Sequence, residues 1–133
     1  MDSVSILIAI HKDQTTVVNA LWGIFQGVSL ALLGYVFSQD FVRKNPWILG
    51  MITIAFLFFS VANQRAISRS QELIYAAARE LKTMGSDPKI DGHLRATLSA
   101  YDAVPVTTLE VGHVAFSAFV VFAIWLLFVV SRL

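Results

Sequence analysis

His113 has the widest chemical range in this chain. An imidazole titrates near neutral pH, so inside an apolar segment it can relay protons, bind a metal or sense pH. Glu110 stands one helical turn earlier, on the same helix face. Each also has a plainer reading. Glu110 completes a capping box with Thr107, and a lone histidine near a helix start is ordinarily a hydrogen-bond partner. His11 and His93 complete the set, and no two histidines stand at a helical i, i+4 spacing or another metal-ligand spacing. The expectation is no metal and no cofactor, with a bis-histidine haem between two chains, or a quinone, as the remaining alternative.

Uncharged polar side chains gather at similar depth on three apolar runs: Asn19 and Gln26 on the first, Ser60, Asn63 and Gln64 on the second, His113 and Ser117 on the third. An unsatisfied polar group in hydrocarbon costs several kcal/mol, so these groups, with Glu110, must bond to one another, to backbone or to water. The cluster reads either as a hydrated ion path or as polar glue between helices. On the first run, Gly23, Gly27 and Ala31 make two small-xxx-small steps and Gly34 continues nearly the same face. Another helix can approach closely there, from this chain or from another subunit.

Enzyme signatures are absent: no Gly-rich phosphate loop, no G-x-S-x-G and no H-E-x-x-H occurs. Asp87 and Asp91 flank a Pro/Lys turn and read as turn and cap residues. No catalysis is expected.

Composition dictates the elements that must hold these residues. Of 133 residues 56% are hydrophobic and 14% charged, against about 25% charged in soluble domains. A chain this short cannot hide so much apolar surface from water, so the surplus must face lipid. The net charge of +1 offers no basic field for nucleic acid, and the absence of cysteine removes disulfides and thiolate chemistry.

The expected fold is therefore an all-α integral membrane protein with three transmembrane helices, the second extended into a cytoplasmic helical hairpin. The spans fall at about 15–37, 46–64 and 107–131, each long enough for a hydrocarbon layer about 30 Å thick. Asn45 and Pro46 supply an N-cap and a first helical residue for the second span, while Val106 and Val111 are placed for a hydrophobic staple at the third. The first run is too long for a signal-peptide core, so its helix is expected to remain. Val4 to Ile10 either lies in the interface or extends that helix inward.

Nothing interrupts helix formation from Trp47 to the Gly85-Ser86-Asp87-Pro88 stop, so the second helix should protrude by about 25 Å beyond the membrane. Along it Ile67, Ser70, Ile74, Ala77, Leu81 and Met84 follow a 3-4-3-4-3 spacing. That narrow seam suits either a partner helix or the next segment of the same chain. Asp91 would cap a short helix with Leu94, Leu98 and Tyr101 on one face, closing the hairpin at about 65–105. There is no repeat or flexible linker, which implies one domain.

Seven basic residues (Lys12, Arg65, Arg69, Arg79, Lys82, Lys89, Arg95) share one side and three (Arg43, Lys44, Arg132) the other. The positive-inside rule then sets the N-terminus in the cytoplasm and the C-terminus outside. Tyr35, Trp47 and Trp125 near the outer ends match an interfacial aromatic belt. The leading functional expectation is a subunit of a homo-oligomeric helical assembly, such as an ion-conducting pore. The alternative is an accessory or anchor subunit that docks a larger partner through its hairpin.

Overall fold

A computed structural model describes Ser3 to Arg132, and these residues form helices with no strand among them. In chain order they are α1 (Ser3–Ser38), α2 (Asp40–Lys44), α3 (Pro46–Gly85), α4 (Gly92–Ser99) and α5 (Val106–Val130). At 1.5 Å per residue, α1 and α3 are about 54 and 60 Å long. Three of the helices, α1, α3 and α5, are long and apolar enough to cross a membrane.

The first helix does not stop at its polar stretch. Thr15 and Thr16 return their hydroxyls to the carbonyls of His11 and Lys12, and neither Gly nor Pro interrupts the segment. Val4 to Ile10 therefore extends the helix. At its far end α2 makes the corner, where Arg43 donates to the Phe37 carbonyl and pairs with Asp40. Asn45 then caps α3 as its side chain predicts, its Oδ1 accepting from Trp47 N–H at 3.1 Å and Ile48 N–H at 3.4 Å, with Pro46 at the first helical position.

The long α3 ends where Gly85, Ser86 and Pro88 predict. Ser86 N–H donates to Lys82, and the Asp87 side chain accepts from Lys89 N–H. Asp91 caps α4 by accepting from His93 N–H at 3.0 Å. The turn brings α4 so close to α3 that a Cβ on Gly85 would lie 3.1 Å from the Leu98 Cβ and 3.3 Å from the Ser99 Oγ. A larger residue there would have to push α4 outward by a few tenths of an ångström.

The third apolar helix starts differently from expectation. Its N-cap is Pro105, which makes no side-chain cap bond, and helical residues begin at Val106. Thr107 therefore sits within the first turn, where no capping box with Glu110 can form. Val111 is exposed, so the staple with Val106 is not made either.

Antiparallel α1 and α3 form the main contact, with α5 packed beside them. Phe25, Val36, Val42, Leu49, Phe56, Val120 and Ile124 make the larger core, and Val18, Ile67 and Ile74 a second one nearer the middle of α3. The seam along α3 is used internally: Ile67, Ile74, Ala77 and Leu81 are buried and Met84 is half-buried. Their cover is the chain's own α1, α4 and the 100–105 connection, so the partner-helix reading of the seam gives way to the intramolecular one. Outside the cores, Leu30, Met51, Ile54, Phe58, Phe119 and Phe122 stand exposed, an apolar exterior of the kind that marks a membrane or protein contact.

Candidate functional site

Four of the expected intramembrane polar residues meet between α3 and α5. Ser60, Asn63, His113 and Ser117 are all buried, and they bond in pairs one turn apart. Ser117 spends its hydroxyl proton on the His113 carbonyl at 2.8 Å, so Ser60 must donate to Ser117 across the 2.7 Å between their oxygens. The Asn63 amide nitrogen lies 3.3 Å from His113 Nε2. With that amide as donor, Nε2 accepts and the ring proton sits on Nδ1.

The first helix contributes aromatic cover to this ladder and no polar group. Phe25 stacks on the His113 ring at 3.9 Å between centroids, and Trp22 leans against it at 5.4 Å. Phe56, Phe59 and Phe116 pack around Phe25 in turn. His113 is only 1% exposed. Such enclosure gives helix-to-helix cohesion along this seam. A haem iron bound at Nε2 would have to displace Asn63 from its place.

Glu110 and Gln64 form a separate relay at the edge. Gln64 Nε2 donates to Ser68 Oγ at 3.3 Å, and Ser68 donates to Glu110 Oε1 at 3.1 Å. Glu110 thus acts as an acceptor for α3 rather than as part of a box with Thr107. The Gln64 Oε1 atom is buried without a hydrogen-bond partner.

Asn19 and Gln26 are not brought into the cluster. Both are exposed on α1, turned away from Phe25. Gln26 shares that side with Gly23, Gly27, Ala31 and Gly34, which are exposed too, whereas Asn19 stands at an edge of α1 that lines a cavity with Ile74, Asp102 and Leu109. No heavy atom of a facing helix lies within 4 Å of the Cβ that Gly23, Gly27 or Gly34 would carry. The small-residue face has no partner within the described chain. The single polar cluster expected from three helices is therefore split: one part sealed between α3 and α5, one part left on the outside of α1.

A further polar set escapes a reading by motif. The Ala100–Pro105 connection is strapped down by Gln71, which donates to the Val104 carbonyl at 2.7 Å, by His11 Nε2, 3.1 Å from the Asp102 carbonyl, and by Lys82, 3.2 Å from the Asp102 carboxylate. The Ala103 N–H, followed by Lys82, holds the Asp102 carboxyl below the usual carboxylate range. Tyr101 meets the His11 ring edge to face at 5.1 Å. The one available signal was Gln71 itself, a polar side chain one position from the Ser70 step of an otherwise apolar stripe.

Among the described residues no group of three or more His, Cys, Asp or Glu is placed to hold a metal ion. Comparisons with protein-family models, curated proteins and solved structures found no match.

Proposed function

We infer that this chain is a non-enzymatic, multi-pass membrane subunit that assembles with copies of itself through the outer face of α1. The three apolar helices cross the bilayer at about 15–37, 46–64 and 107–131, with the N-terminus and the 65–105 hairpin in the cytoplasm and the C-terminus outside. The observation that carries this is the uncovered α1 face, where an unpartnered amide, Gln26, lies beside Gly23, Gly27 and Gly34. In hydrocarbon that amide needs a partner, and the glycines let a second backbone come close enough to supply it. A carboxamide both donates and accepts, so identical residues meeting across a symmetry axis satisfy one another.

This arrangement also reassigns the pore-lining role. A conducting path would then run between subunits and be lined by Gln26, because the Asn63–His113 ladder is closed by Phe25 and Trp22. The docking alternative has one observation in its favour: Leu73 and Tyr75 lie about half-exposed on the distal part of α3, beyond the proposed bilayer.

Particle mass in lipid nanodiscs tests the reading. Several copies per particle, reduced to one by Gly27→Leu, is the expected outcome. A single chain per particle at native-like density would overturn it, and a stoichiometric second protein retained from native membranes would transfer the role to docking.

A further inference from the structure

Between α1, α3 and the 100–105 connection lies a cavity of about 360 Å3 whose wall includes His11, Asn19, Trp22, Ile74, Asp102 and Leu109. It falls at the low end of the range of about 300–1,000 Å3 typical of small-molecule sites. On α1 the wall runs from His11 through Thr15 to Trp22, so the cavity spans the level at which the apolar run begins. Its polar groups, His11, Thr15, Asn19, Gln71 and Asp102, are interspersed with apolar ones, and Trp22 is the last α1 residue of the wall.

The wall carries no lysine or arginine, and the one carboxylate on it, Asp102, is already paired with Lys82 at 3.2 Å. An anionic phospholipid head finds no counter-charge there. His11 Nε2 faces the Asp102 carbonyl, which can only accept, so that nitrogen donates there and Nδ1 is the ring nitrogen without a described partner. Asn19 adds an amide with no hydrogen-bond partner among the described residues, offering one acceptor and one donor group. A hydroxyl, which donates and accepts at once, complements that set.

We propose that this cavity binds the hydroxyl-bearing head of a neutral amphiphile, with His11 and Asn19 holding the head and Trp22 and Leu109 flanking the start of its apolar chain. Two sources share this chemistry, a glycerol-headed lipid and a long-chain dihydroxybenzene. The site rests on the proposed membrane placement, since only then does an apolar chain have lipid to extend into.

Trp22 provides the readout. In full-length protein carrying Trp47→Phe and Trp125→Phe, Trp22 is the sole tryptophan. A monoacylglycerol with a dibrominated acyl chain is titrated into nanodiscs holding this protein, and the matching dibrominated methyl ester, which has no hydroxyl, serves as control. The expected result is saturable quenching by the glycerol ester alone. Asn19→Leu should raise the half-saturating concentration about tenfold, the effect of one hydrogen bond of about 1.4 kcal/mol. Asn19 holds no other described group, and particle mass measured on the same sample separates loss of head binding from loss of assembly. His11→Ala should act in the same direction.

Displacement of the brominated probe by an alkyl hydroquinone identifies the aromatic head, whereas its failure to displace identifies the glycerol head. Equal, unsaturable quenching by both esters overturns the site. A separate variant that keeps only Trp47, 85% exposed, tests the placement: its quenching by either ester confirms lipid contact even where the Trp22 result is negative.

Discussion

Asn63 and His113 show what a polar pair does when it is enclosed by rings. Removing one partner leaves the other buried and unpaired, which outweighs the net worth of the bond itself. Asn63→Leu should therefore destabilise the protein by about 1–3 kcal/mol. The coupling from an Asn63/His113 double-mutant cycle should be smaller, about 0.6–2 kcal/mol as for other intramembrane bonds. Denaturant titration in detergent measures both, and a coupling near zero would mean that the two side chains do not meet. Gln26→Leu should behave oppositely, leaving monomer stability unchanged while weakening assembly, because Gln26 has no partner within the described chain. Asp102 supplies the pH-sensitive group. Its carboxyl is held below the usual 3.8 by the Ala103 N–H and by Lys82, so its tie is present above that value and is lost as pH falls through the lowered one. The protection of the Ala103 amide relative to its intrinsic exchange rate should fall on acidification through that window, and Asp102→Asn should abolish the dependence. Which residues of the three apolar helices are polar was legible from the chain, but the direction of each around its helix was not. At 100° per residue Gln26 points well away from Phe25, yet a helix apolar on every side gives no signal of which of the two faces inward.

The helix ends were legible wherever a side chain with one dominant local use marked them. Asn45 before Pro46, Asp91 before Gly92 and the Gly85–Pro88 stop all perform as their residue types predict. The start of α5 was misread because Thr107 and Glu110 fit a capping box by spacing alone, while Pro105, with φ fixed and ψ extended, already lets the helix begin one residue later. Ser68, forty-two positions away in sequence, then claims Glu110. Gly85 reads as a stop signal in the sequence, whereas its tighter constraint is the Leu98 Cβ beside it. Gly85→Ala should thus force α4 outward by a few tenths of an ångström and lower stability by about 1 kcal/mol, despite the better helix propensity of alanine. A rise in melting temperature for that variant would show that α4 yields freely.

Across the whole molecule, length and apolarity were enough to mark three helices capable of crossing a bilayer, because lipid demands continuous helical runs. The same uniformity hides which outer face meets another protein, since lipid and a partner helix select similar side chains. Handedness across the membrane rests on charge alone: seven basic groups lie on the hairpin side, and Arg43, Lys44 and Arg132 oppose them. The chain has no cysteine, so single introduced thiols report topology without background. Ser86→Cys should be labelled by a membrane-impermeant maleimide only after the bilayer is opened, and Lys44→Cys in intact cells. Labelling of Ser86→Cys from outside would invert the orientation and place the Arg43–Lys44 corner in the cytoplasm, where a compact pair beside a helix end would have outweighed a larger but dispersed set. Gly27→Leu in either background should leave the labelling pattern unchanged while abolishing assembly, because insertion is decided by each helix against lipid and association by helix against helix.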